Sequence, residues 1–139
     1  MKAKLISSAV LALAASFGAA AQPTDKCIAS LTDEPRLQPI ADKVALGRTG
    51  EATVMRVADR TANERERMVL AVWLQKRNEC FDAGASYRQA ISTPQEIAFL
   101  RSVFVFEQRL VADLQGGRLT YAEFNRRRLE LAQAAGQQI

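Results

Sequence analysis

Apolar residues recur through the second half of the chain at intervals of three and four, the spacing that keeps one face of an α-helix in a core. Between Thr61 and Ala83 this stripe is Val69, Leu70, Trp73, Leu74, Cys80 and Phe81. From Pro94 to Gln115 it is denser: Ile97, Phe99, Leu100, an unbroken apolar run from Val103 to Phe106, then Leu110, Val111 and Leu114. A last stretch carries Phe124, Leu129 and Leu131. Thr61-Ala62-Asn63-Glu64, Thr93-Pro94-Gln95-Glu96 and Thr120-Tyr121-Ala122-Glu123 precede these runs and fit the T-x-x-E capping box. In that box the threonine oxygen accepts an N3 amide and the glutamate returns to the cap amide. Pro94 suits a first helical position, and Gly84 and Gly116-Gly117 mark helix ends. The pattern predicts an all-α fold, a small helical bundle with main helices at about 61–83, 94–115 and 120–134 and a linker from Ala85 to Ser92. The last two form a helical hairpin, 93–131. Its first arm is apolar on every side at its middle, so it is expected within the core or in an interface.

The preceding quarter is less regular. Asp25 is expected to cap a short helix carrying Cys27, Ile28 and Leu31, ended by Asp33-Glu34-Pro35. Leu37, Pro39, Ile40, Val44 and Leu46 suggest a helical turn and an apolar connector closed by Gly47 and Gly50. A further short helix is expected at Glu51 to Ala58, with Val54, Met55 and Val57 inward.

The N-terminus has the pattern of a cleaved signal peptide over 1–21. Lys2 and Lys4 are followed by an apolar run, Leu5 to Phe17, too short to span a bilayer, and by Ala19-Ala20-Ala21 as a cleavage site. The expected product begins at Gln22, forms a single helical domain over 22–139 and is periplasmic or secreted. Cys27 lies too far from the cleavage site to be a lipidated first residue.

Export changes how charge and sulfur are read. The 139-residue chain has a formal charge of +4. Losing Lys2 and Lys4 leaves 17 basic residues against 15 acidic, nearly balanced, which gives little support for nucleic-acid binding. In an oxidising compartment, Cys27 and Cys80 most simply form one disulfide. A redox pair or a thiolate nucleophile requires a CxxC spacing or a nearby histidine, and the sequence has neither.

Histidine is absent altogether, which removes Ser-His-Asp and Cys-His catalysis and ordinary zinc sites. No P-loop, dinucleotide-binding or acidic metal loop is present, and no cofactor or metal is expected. A glycosidase-like acid would need a second carboxylate across a cleft, and no spacing promises one.

Two charges rise from apolar surfaces. Glu107 has Val103, Phe104, Leu110 and Val111 as helical neighbours, and Arg77 has Trp73, Leu74, Cys80 and Phe81. Isolated buried charges are costly, so a structural ion pair between Arg77 and Glu107 is expected. Arg126, Arg127 and Arg128 point about 100° apart on a helix. They are either solvated near a helix C-terminus or in contact with an anionic envelope surface or a partner's carboxylates.

Leu110, Leu114, Gly117, Leu119, Thr120, Glu123, Phe124, Arg128 and Leu131 follow the order and spacing of a leucine-bearing helix, a glycine turn, a T-x-x-E-F opener and a basic, leucine-ended helix. Over about residues 110–131 the chain resembles the SHOCT short C-terminal domain. That resemblance implies a role in oligomerisation or scaffolding and no catalysis. The preceding helix is longer and more apolar here than in that family.

The reading is a non-enzymatic, exported interaction or assembly module of the bacterial cell envelope, with Phe99, Phe106, Leu110, Arg126, Arg127 and Arg128 as candidate interface residues. Its partner is a protein or a second copy. The alternative is a small-molecule or envelope-glycan binder with an apolar pocket near Trp73, although aromatics at helical spacing more often form core.

Overall fold

The computed structural model describes residues 22–47 and 59–136. The expected signal peptide and the expected helix at Glu51 to Ala58 lie outside them. The described residues form an all-α fold of five helices: α1 (Pro23–Ser30), α2 (Glu64–Ala83), α3 (Ala85–Ile91), α4 (Pro94–Gln115) and α5 (Tyr121–Gly136). Two 3-10 turns, Leu31–Asp33 and Pro35–Ile40, follow α1. Among the described residues no helix is long and apolar enough to cross a membrane.

Helix α2 is the central element, packed against α1, the second 3-10 turn and α4. Its buried residues, Glu66, Leu70, Trp73, Arg77 and Cys80, alternate at four and three, which draws one stripe along the helix. Leu37, Ile40 and Val44 from the irregular segment meet that stripe, with Leu110, Val111 and Leu114 of α4 and Tyr121 and Phe124 of α5. Cys27 and Cys80 are joined in a disulfide that ties α1 to the last turn of α2.

The caps differ in part from expectation. Thr93 and Glu96 form the full reciprocal box at the start of α4. Thr120 Oγ1 accepts from the Glu123 amide at 3.2 Å at the start of α5. The first box is displaced: α2 begins at Glu64, and the Asn63 side chain accepts from the Glu66 amide. Asn63 binds an N3 amide as well as threonine does, and the N3 side chain, Glu66, turns to Arg60 and Tyr121 in place of the cap amide. Asp25 is not a cap; α1 opens with Gln22 as N-cap and Pro23 in the first turn.

The expected linker over 85–92 is instead the helix α3. Gly84 adopts φ −90°, ψ 0°, a right-handed conformation that lets the chain turn and resume helical form. Gly117, by contrast, is left-handed at φ 75°. The Arg118 amide reaches the Asp113 carbonyl at 2.8 Å and the Gly117 amide reaches Leu114 at 3.1 Å. These are the two bonds of a Schellman stop, which turns the chain back along α4.

The larger correction concerns α4. Only Leu110, Val111 and Leu114, near its C-terminal end, are buried. Val103 and Phe104 are half-buried, while Val105 and Phe106 are 43% and 53% exposed. The first arm of the hairpin is thus anchored in the core at one end and carries its apolar middle to the surface.

Candidate interaction surface

The hairpin is fixed from behind by a buried charge cluster. Arg77 Nη2 lies 2.9 Å from Glu107 Oε2, and Arg128 Nε lies 2.6 Å from Glu107 Oε1. The acid bridges α2 and α5, with one oxygen for each guanidinium. Arg128 also donates to the carbonyls of Ala45 at 2.5 Å and Gly47 at 3.3 Å. Arg77 Nε donates to Gln108 Oε1 at 2.8 Å, and Gln108 Nε2 to the Leu74 carbonyl and Asn78 Oδ1. These bonds satisfy charges whose desolvation would otherwise be prohibitive. Burial pushes the Glu107 carboxyl up, but Arg77 and Arg128 outweigh it and hold the group below its ordinary range.

Aromatic rings fill the spaces between the cations. Arg77 and Arg128 each lie 5.3 Å from the Trp73 ring centroid. Arg77 also lies 5.9 Å from Phe104 and Arg128 5.9 Å from Phe124. Phe104 stacks on Phe81 at 4.1 Å, and Arg88 covers Phe81 at 3.8 Å. Guanidinium groups are weakly hydrated and planar, so they pack on aromatic faces at less cost than ammonium groups would. Arg88 donates to the Phe81 carbonyl and to Thr24 Oγ1, which brings α3 and α1 into the same array.

A second buried acid, Glu66, accepts from Tyr121 Oη at 2.9 Å and from both terminal nitrogens of Arg60. Burial raises the Glu66 carboxyl, and the bonds from Arg60 and Tyr121 bring it below its usual range. Burial and the Glu66 carboxylate push the Tyr121 hydroxyl well up. A general acid needs a carboxyl raised toward the working pH; Glu107 and Glu66 are shifted the other way, each held by two donor side chains. Among the described residues no group of three or more acids or cysteines is placed to hold a metal ion.

The aromatic residue expected to line a pocket, Trp73, has no exposed surface. A hollow of about 450 Å³ nearby is walled by Arg77, Phe104, Glu107, Arg128 and Ile28, without Trp73. The tryptophan is core, its faces turned to two arginines.

The structure divides the candidate interface residues. Phe106, Leu110, Arg126 and Arg127 gather round one open groove of about 540 Å³ between α4 and α5, with Glu130 and Leu131. Leu110 is 4% exposed and forms the floor, so it serves the core more than a surface. Phe99 lies two turns away, about 10 Å along α4, and faces a separate hollow with Ile91 and Leu100. Arg128 is removed from the surface altogether at 1% exposure, because its helical position turns it toward Glu107 while Arg126 and Arg127 turn to solvent.

Glu66, Arg60, Tyr121 and Arg88 are contributors that the sequence pattern did not single out. For Glu66 a signal was present, since the stripe Cys80, Arg77, Trp73, Leu70 continued one turn back lands on it.

No family model, curated protein or solved structure matches the chain.

Proposed function

We propose that this protein is a non-enzymatic, exported helical interaction module of the bacterial cell envelope, working through the α4–α5 hairpin. The observation that carries the reading is the exposure of Phe106 and Val105 in the middle of a helix whose far end is locked into the core. Monomeric proteins rarely expose large contiguous apolar patches, and those they do expose are often used; Phe106 adjoins Leu110 and Leu131 in one groove. The SHOCT-like spacing falls on the same hairpin, and the Cys27–Cys80 disulfide suits an oxidising compartment. The buried arginine cluster supports a rigid presentation, because it fixes α4 and α5 to α2 without using the outer face of either.

The test is a pulldown from native periplasm together with a concentration series in analytical ultracentrifugation, on wild type and Phe106→Asp. A partner or an oligomer that Phe106→Asp loses is the expected result. A strict monomer with no partner would overturn the reading.

A further inference from the structure

We infer that the groove between α4 and α5 holds an acidic helical segment of another protein, anchored by an apolar side chain over Phe106 and Leu131. This rests on the hairpin being the working surface and specifies the chemistry of what docks there.

The shape of the groove points to a chain segment. Arg127, Leu131 and Ala134 on one wall follow i, i+4, i+7 spacing, and Phe106 and Leu110 on the other follow i, i+4. The groove therefore runs for about two turns along α5, on the order of 10 Å, and about one turn along α4, on the order of 6 Å, a bed on which a third helix can pack against the helical pair. A flat lipid surface can reach the rim of such a groove but not its floor, where Leu110 is recessed.

Charge selects among chain segments. Arg126 is tied to Glu130 at 2.7 Å on the α5 wall. Arg127, on the same wall, is exposed and has no carboxylate partner among the described residues. The apolar strip is thus edged by net positive charge on its α5 side, and its complement is apolar with an acidic flank. A second copy presenting the same face would bring the same arginines to the contact and be repelled.

Photo-crosslinking in cells with the full chain tests this. The probe is p-benzoylphenylalanine at position 106, with the same probe at position 68 as control, since Met68 is 65% exposed on α2 and lies outside the groove. The expected result is an adduct from position 106 and none from position 68. Mass spectrometry of the crosslinked peptide is expected to give a segment with apolar residues at helical spacing flanked by Asp or Glu. Arg127→Glu is expected to lower the yield several-fold while Arg127→Lys retains it, with thermal melts of both variants unchanged. An adduct to a second copy, to lipid or to a basic or uncharged segment would overturn the inference, as would indifference to Arg127→Glu. If the periplasmic pulldown recovers a partner while position 106 gives no adduct, this inference fails and the broader reading stands. If both are empty, both fail.

Discussion

Glu107 is the single acid between two buried arginines, and its substitution exposes how much rests on one carboxylate. Glu107→Gln keeps the shape and removes the charge, leaving Arg77 and Arg128 buried at 3% and 1% exposure without their counter-ion. Breaking a buried pair in this way costs about 3–5 kcal/mol, which urea denaturation at neutral pH would measure. The pH dependence follows from the direction of the shift. The folded-state pKa of Glu107 lies below the unfolded value of 4.5, so its contribution is complete above that value and is lost as pH falls through the folded pKa. Glu66 behaves alike. Stability is expected to fall as the solution is acidified below about pH 4.5, and the Glu107→Gln variant should show a shallower fall in thermal melts over the same range. The Arg77–Glu107 contact was legible in the sequence because each charge had apolar neighbours at three and four residues on both sides. The burial of Arg128 was not. Its other acceptors are the Ala45 and Gly47 carbonyls, and a backbone carbonyl in an irregular segment leaves no mark on residue type.

Helices were legible where caps and apolar stripes coincide, as for α4 and α5, and obscure where a glycine was read as an ending. Residues 85–91 are short, mostly polar and without a side-chain cap, so nothing local announces α3. Gly84 is required there for space. A Cβ built on it would lie 2.0 Å from Thr24 Oγ1 and 2.7 Å from Arg88 Nη1. Gly84→Ala is therefore expected to destabilise by about 1–3 kcal/mol, although alanine is the better helix former. Thr24→Ala in the same chain should recover part of that loss by removing the hydroxyl in the way. Thr24→Ala alone should be destabilising, because Arg88 loses its acceptor. A double-mutant cycle read by thermal denaturation checks the coupling, and simple additivity would show that the contact is relieved elsewhere. Gly117 is needed for its conformation. At φ 75° an alanine costs about 1–2 kcal/mol, and equilibrium denaturation of Gly117→Ala should show a loss of that size.

Across the whole molecule, two separate devices hold the N-terminal quarter to the helical half, and they can be told apart. The disulfide spans 53 residues of sequence and stabilises the fold by about 4 kcal/mol on the chain-entropy model. It acts on α1, which has no buried residue of its own and is otherwise held by the Thr24–Arg88 bond and by Ile28 packed against the core. The segment 37–47 is held differently. Leu37, Ile40 and Val44 have no exposed surface, Arg128 binds the Ala45 and Gly47 carbonyls, and Asn125 Nδ2 binds the Lys43 carbonyl at 2.9 Å. Cysteine content and the expected oxidising compartment made the disulfide readable, whereas the second attachment depends on contacts across some 80 residues that no local pattern encodes. Replacing both cysteines by alanine should therefore release the two parts unequally. Hydrogen exchange is expected to show the amides of α1 losing protection while Lys43 and Val44, whose amides bond to the Ile40 carbonyl, keep theirs, together with α2, α4 and α5. Loss of protection over 23–47 as one unit would mean that the arginine and asparagine contacts hold only while the disulfide holds α1 in place. Retention at Val44 would show α5 to be an independent clamp on the irregular segment, with Arg128 turned inward for that purpose and its two neighbours, Arg126 and Arg127, left to the groove outside.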